Sequence, residues 1–253
     1  MKDIKEIVLE IKGLLKECGS IMLNADRSSI KIDAKSGNKN FVTEYDKKVQ
    51  IKLKEGLANI FGEASFVGEE DEIHTFADKG YAFIVDPIDG TTNFIKDYKM
   101  SCISVGLVKD GSPLAGVIYN PYLDEMYSAI KGEGAYLNDK MIHVSENSID
   151  DALVVFGTAP YYDDLCKKAF EMAYEHLKKC VDVRRSGSAA LDLCAVAAGR
   201  ADIYFEPLIC PWDIAAGVLI VEEAGGKVTT IEGDSISLNR KCSIYASNGV
   251  AFL

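Results

Sequence analysis

The sequence predicts a mixed α/β protein, and three stretches predict it. Apolar residues at Ile4, Ile7, Val8, Ile11, Leu14, Leu15, Cys18, Ile21 and Met22 recur at the period of a helix. From Ser101 to Val144 the pattern becomes short strands with turns at Lys109-Asp110-Gly111, Asn120-Pro121 and Asn138-Asp139, a meandering antiparallel sheet. Beyond it, strand and helix alternate, which argues for helices layered on a sheet.

The elements follow in order. The first helix, from Ile4, is a packing element. Residues 24–40 turn polar and lose any period, and Lys31, Lys35, Ser36, Gly37, Asn38, Lys39 and Asn40 read as a mobile, basic loop. Phe41-Val42-Thr43 leads into a second helix with Thr43 as N-cap and Asp46 at the reciprocal position of a capping box. Its buried side is Tyr45, Val49, Leu53, Leu57, Ile60 and Phe61. Phe66-Val67-Gly68-Glu69-Glu70 is a short strand running into paired acids, and adjacent strand side chains face opposite ways, so only one glutamate reaches a given site.

The chain is organised around residues 81–94. Tyr81 to Val85 is an apolar run that reads as a buried strand stopping at Asp86-Pro87. Asp86 and Asp89 flank a turn stiffened by Pro87, which fixes its own φ and holds Asp86 extended. Gly90 permits close approach of the backbone to a ligand, and Thr91 or Thr92 is placed to cap a helix whose amides face the same point. Carboxylates suited to a hard cation thus sit beside amides suited to a phosphate. The plainer alternative is a turn and cap with incidental acids.

Cys102 to Val108 and Leu114 to Tyr119 are the clearest strands of the meander. Leu153 to Phe156 is then a strand, Asp163 to Lys179 a helix, and Val181 to Arg184 a strand. Gly187-Ser188-Ala189 opens the next helix, a geometry suited to hydroxyl or phosphate contacts. Ala201 to Phe205 is a strand ending at Glu206, and Pro211-Trp212-Asp213 opens a helix to about Glu223, where Asp213 taken alone is a cap. A last strand covers Ser243 to Ser247.

The totals narrow the function. A chain of 253 residues holds ample core. A net charge of −11, from 39 acids against 28 bases, disfavours a nucleic-acid surface and an anionic membrane, but tolerates a phosphate ligand if cations bridge the like charges. The seven cysteines are odd in number and scattered without Cys-x-x-Cys, which predicts neither a disulfide framework nor a zinc site and favours a reducing cytoplasm. The N-terminus is charged from Lys2 and Asp3 and sustains no signal peptide or membrane span, so a soluble cytoplasmic protein is expected.

Three motifs in order, Gly68-Glu69-Glu70, Asp86 to Phe94 (Asp-Pro-Ile-Asp-Gly-Thr-Thr-Asn-Phe) and Trp212-Asp213, give the chain a resemblance to the inositol monophosphatase family of metal-dependent, lithium-sensitive sugar phosphatases. The resemblance implies a layered α-β-α-β-α sandwich, homodimeric, with residues 1–253 forming one catalytic domain. An N-terminal α+β half (about 1–145) and a C-terminal α/β half (about 146–253) then close over one active site. It implies a metal shell of Glu69, Asp86, the main-chain carbonyl of Ile88, Asp89 and Asp213. All-oxygen ligands select Mg²⁺, two or three ions with Mn²⁺ as a substitute, over zinc. None of the three histidines has metal-ligand spacing with another.

By the same resemblance, Glu69 and Thr91 hold the water that attacks phosphorus in line, Asp46 hydrogen-bonds Thr91, and Lys35 lies on a lid beside the metals. Asp89, Gly90, Thr91, Gly187, Ser188, Ala189, Glu206 and Asp213 contact the substrate, an inositol monophosphate such as myo-inositol 1-phosphate or a related sugar phosphate. A nucleophilic cysteine is disfavoured because no Cys-x5-Arg loop is present. Two departures stand out: the loop Glu206-Pro207-Leu208-Ile209-Cys210-Pro211 differs from the common family form, and the chain ends at Phe252-Leu253 where many relatives carry a further helix. The alternatives are a fructose-1,6-bisphosphatase or dual-specificity enzyme and, from another class, a regulatory or scaffold protein on this fold.

Overall fold

The computed structural model describes residues 2–36, 40–72, 74 and 79–252, with the backbone alone for 34–36 and 40. Helix α1 (Ile4–Leu23) begins after Asp3, whose side chain accepts from the Lys5 amide, and buries Ile7, Val8, Ile11, Leu15, Cys18 and Met22. Each of these large apolar side chains contributes about 1.5–3 kcal/mol on leaving water. Strand β1 (Ile32–Ser36) then pairs antiparallel with β2 (Asn40–Thr43), joining Ile32 to Thr43 and Asp33 to Val42. The sequence reads this stretch as a loop. A two-stranded ladder is held by main-chain bonds that polar side chains do not announce.

Helix α2 (Glu44–Ile60) starts with the expected capping box of Thr43 and Asp46 and buries Val49, Leu53 and Leu57. Seven strands follow in one sheet, in spatial order β3 (Ser65–Gly68), β4 (Tyr81–Asp89), β5 (Cys102–Lys109), β6 (Ser112–Asn120), β7 (Glu125–Ile130), β8 (Ala135–Leu137) and β9 (Lys140–Ile142). Only β3 and β4 run parallel; the other neighbours are antiparallel. Between β4 and β5 lies the short helix α3 (Thr91–Ile95).

Strand alternation feeds two cores. Phe83 and Val85 of β4 pack with α1 and α2, while Ala82 and Ile84 face the opposite way, into the core that includes residues of α5 (Ala189–Ala197) and α6 (Pro211–Glu223). Helix α6 lies close on the sheet because Gly106 and Gly116 have no side chain. A Cβ there would stand 2.8 Å from the Ala215 Cβ and 2.7 Å from the Ala216 carbonyl oxygen, respectively.

The second sheet has the order β11 (Asp182–Arg184), β10 (Leu153–Phe156), β12 (Ile203–Ile209), β14 (Cys242–Ser247) and β13 (Lys227–Thr229). Helix α4 (Asp163–Leu177) covers its outer face through Ala169 and Ala173 against Val154, Phe156, Ile203 and Phe205. The layers are therefore α1/α2, seven-stranded sheet, α5/α6, five-stranded sheet and α4, the sandwich the resemblance implies. Strand β12 does not end at Phe205; it runs on through Glu206 and Pro207. A register shift against β14 between Glu206 and Ile209 accommodates the proline, which brings no N–H to the ladder.

Candidate active site

In a regular strand, residues three apart face opposite sides, so Asp86 and Asp89 would diverge. They do not, because the ladder from β4 to β5 slips between them: Asp86 pairs with Ser104 and Asp89 with Cys102, three steps against two. This bulge carries β4 past Val85, where the sequence reads its end, and absorbs Pro87. It also re-aims the acids. Carboxylate oxygens of Asp86, Asp89 and Asp213 lie within 4.8 Å of one another.

Each acid is held by main-chain or hydroxyl donors. Asp86 Oδ1 accepts from the Ile88 amide at 3.0 Å. Asp89 Oδ2 accepts from Ser188 Oγ at 2.5 Å and from the Ala190 amide at 2.8 Å, which ties β4 to the start of α5. Asp213 sits in the first turn of α6, where its Oδ2 accepts from the Cys210 amide at 2.9 Å. It is thus a cap as well as a member of the cluster. Ser188, expected at the substrate, is buried with its hydroxyl on Asp89 and accepting from Leu191 N.

The electrostatics are those of crowded, buried anions. Burial foremost pushes the Asp89 carboxyl up to about 6; Ser188 and Ala190 oppose the rise, and the Glu69 charge adds to it. Burial also raises Asp213 well above the carboxylate range, reinforced by Asp89 and Glu69. Such a set is costly without a cation. All its donors are oxygens, so the residues fit a hard divalent ion. Glu69 lines the same cleft at the end of β3, its amide bonded to the Val85 carbonyl at 3.0 Å.

Thr91 is not a cap. Gly90 caps α3 in the left-handed region (φ 82°), where a Cβ would also meet the Met100 carbonyl oxygen at 2.8 Å. The Thr91 hydroxyl is released to reach Asp46 Oδ1 at 3.2 Å and the Ile88 carbonyl at 3.1 Å. Asp46 Oδ2 meanwhile accepts from Thr43 N at 2.7 Å and Thr43 Oγ1 at 2.5 Å. One carboxylate therefore serves both the capping box and Thr91. Asn93 Nδ2 donates to the carbonyls of Met100 and Ser186, joining α3 to the Gly187-Ser188-Ala189 turn, where Gly187 has φ 89°.

The cleft holds about 480 Å³ and is lined by the acids, Gly187, Ala189 and Glu206. Glu206 accepts from the Ala159 amide at 2.8 Å and from Tyr204 Oη at 2.9 Å, and burial raises its pKa. Lys35 lies on β1, but its side chain and residues 37–39 lie outside the described part of the structure. The sequence reading missed Asp192, Arg185, Lys241, Tyr161 and Tyr162, all lining the cleft. Burial lifts the Asp192 carboxyl well above its usual range. The only signal for Asp192 was an acid on the otherwise apolar helix that follows Gly187-Ser188-Ala189.

Residues 3–251 match the inositol monophosphatase family. The chain is 39% identical over 223 residues to a protein named putative Nus factor SuhB from Neisseria meningitidis serogroup B, covering 87% of this chain and 85% of that one. Among solved structures, the Thermotoga maritima IMPase is 34% identical with a TM-score of 0.85, over 94% of this chain and 90% of the other. A dual specific IMPase/NADP phosphatase bound with D-inositol-1-phosphate is 25% identical with a TM-score of 0.86, over 99% of this chain and 93% of its own. No helix among the described residues is long and apolar enough to cross a membrane.

Proposed function

The chain belongs to the inositol monophosphatase family, and from that premise we propose that it is a Mg²⁺-dependent phosphomonoesterase acting on myo-inositol 1-phosphate or a related sugar phosphate. The observation that carries the proposal is the convergence of Asp86, Asp89 and Asp213 in a cleft that Glu206 also lines. Glu69 and the Ile88 carbonyl complete the proposed metal shell, with the elements before and after residue 145 acting as one catalytic unit. Mg²⁺ supplies positive charge against the ester phosphate and lowers the pKa of the attacking water.

The protein's own groups orient the reaction. With its one proton engaged by Asp46 or the Ile88 carbonyl, Thr91 Oγ1 is left as an acceptor for a proton of the attacking water. The amides of Gly90 and Thr91 receive charge on the phosphoryl oxygens as it redistributes. Glu206 accepts from the Ala159 amide and Tyr204 Oη, and a carboxylate with about four lone-pair sites has capacity for a substrate hydroxyl besides. The resemblance extends this reading to a cytoplasmic homodimer inhibited by lithium.

The test is phosphate release from myo-inositol 1-phosphate with and without Mg²⁺. Asp86→Asn and Asp213→Asn are expected to lower Mg²⁺-dependent release by about 100-fold or more, since a catalytic cation supplies several kcal/mol. Release that persists in both variants would sink the site assignment. Fructose 1,6-bisphosphate belongs in the same assay, because Arg185 and Lys241 line the cleft and offer cations to a second phosphate. The relative named putative Nus factor SuhB favours a second reading, a protein partner. Partner capture that survives Asp86→Asn would support a role independent of catalysis.

A further inference from the structure

Glu69 and Asp213 stand in the same cleft on elements more than a hundred residues apart in sequence, and their like charges oppose the approach. The Glu69 side is anchored from below. Gln50 of α2 donates through Nε2 to Asp71 Oδ1 at 3.2 Å and accepts at Oε1 from the Glu70 amide at 2.9 Å, and Asp71 Oδ2 accepts from the Gly68 amide at 2.9 Å. These three bonds join α2 to the end of β3 and the turn after it.

The His74 ring lies on Trp212, centroids 4.4 Å apart and planes inclined by 35°, and its Nε2 is 3.2 Å from the Glu69 carbonyl oxygen. Trp212 immediately precedes Asp213 in the first turn of α6. Among ring contacts between two described residues, this one joins the chain before residue 145 to the chain after it. We propose that His74 is a positioning residue for the metal site: it bonds the main chain of Glu69 and rests on the neighbour of Asp213, setting the separation of the two carboxylates. The inference rests on the metal-binding reading above and concerns a residue outside the motifs that support that reading.

Trp212 is the only tryptophan in the chain, so its emission reports the contact and the site without a label. In the full-length protein at one fixed pH, His74→Ala is expected to shift the emission of the metal-free form. It is also expected to raise the Mg²⁺ concentration at half-saturation about tenfold, the scale seen when a residue that orients a metal ligand is lost. His74→Phe, which keeps a ring on Trp212 but gives up the bond to Glu69, should restore the emission and leave the Mg²⁺ midpoint raised; a wild-type midpoint in His74→Phe would show that the bond to Glu69 positions nothing. An unchanged Mg²⁺ midpoint in His74→Ala overturns the proposal whatever the emission does. Wild-type protein that binds no Mg²⁺ overturns the metal reading and the positioning role together, whereas normal wild-type binding with an unaffected His74→Ala removes only the latter.

Discussion

A Cβ on Gly157 would stand 1.9 Å from Glu206 Oε2, so the carboxylate keeps its place in the cleft only because residue 157 has no side chain. Gly157 also donates its amide to the Phe205 carbonyl at 2.9 Å, which leaves the main chain little room to retreat. Gly157→Ala therefore displaces the Glu206 carboxylate. Overpacking of this kind costs about 1–3 kcal/mol of stability. If Glu206 reads a substrate hydroxyl, the KM for myo-inositol 1-phosphate should rise about tenfold, the worth of one bond to a charged group. The Mg²⁺ midpoint should move less than the KM, because the bonds that hold Asp86, Asp89 and Asp213 do not involve Glu206. Steady-state kinetics at saturating Mg²⁺ and a Mg²⁺ titration separate the two, and a changed midpoint with an unchanged KM would refute the assignment of Glu206.

Helix α4 docks on the outer face of the five-stranded sheet through a histidine. His176 is 2% exposed, stacks on Phe205 at 4.9 Å and donates from Nδ1 to the Met172 carbonyl at 2.8 Å, with Nε2 3.3 Å from Tyr245 Oη. Burial lowers its pKa below the usual 6.5, against the opposing bond to Met172. The unfolded chain then binds the extra proton first, so His176 contributes stability above pH 6.5 that is lost as pH falls below it. Chemical denaturation at pH 7.5 and 5.5 should show wild type losing more stability than His176→Phe; equal losses would show that His176 does not carry the effect. At this scale, α1 and α2 were legible because their apolar periods match the faces they bury, α6 because Pro211-Trp212-Asp213 marks its start, and the meander because of its turns. The hairpin of β1 and β2 was not, because its ladder is made by main-chain bonds under polar side chains; the extension of β12 through Pro207 and the His74–Trp212 contact were not, because each depends on a strand or ring distant in sequence. The acids of the cluster were legible as residues, while the bulge that makes Asp86 and Asp89 converge follows from pairing with β5.

For the molecule as a whole, the acids outnumber the bases to give a net charge of −11, and Asp86, Asp89 and Asp213 concentrate part of that excess where the layers meet. The fold brings like charges together and burial lifts Asp89 and Asp213, so stability is surrendered at the site for function. A divalent cation bound there favours the folded state over the unfolded one, which lacks the assembled site. Linkage sets the size: a ligand at about 100 times its Kd adds about 2.7 kcal/mol. In a chain of this length each kcal/mol moves Tm by about 2–4 °C. Saturating Mg²⁺ should therefore raise Tm by about 5–10 °C. NaCl at the same ionic strength screens surface repulsion without filling the site, so it should recover only a small part. Asp213→Asn removes a ligand and should abolish most of the Mg²⁺-specific increment, while its metal-free form is expected to melt no lower than wild type because one buried anion is gone. Thermal scans of both proteins in EDTA, Mg²⁺ and matched NaCl decide it. A Mg²⁺ increment no larger than that of NaCl, or one that Asp213→Asn retains in full, would place the cation elsewhere on this acidic surface.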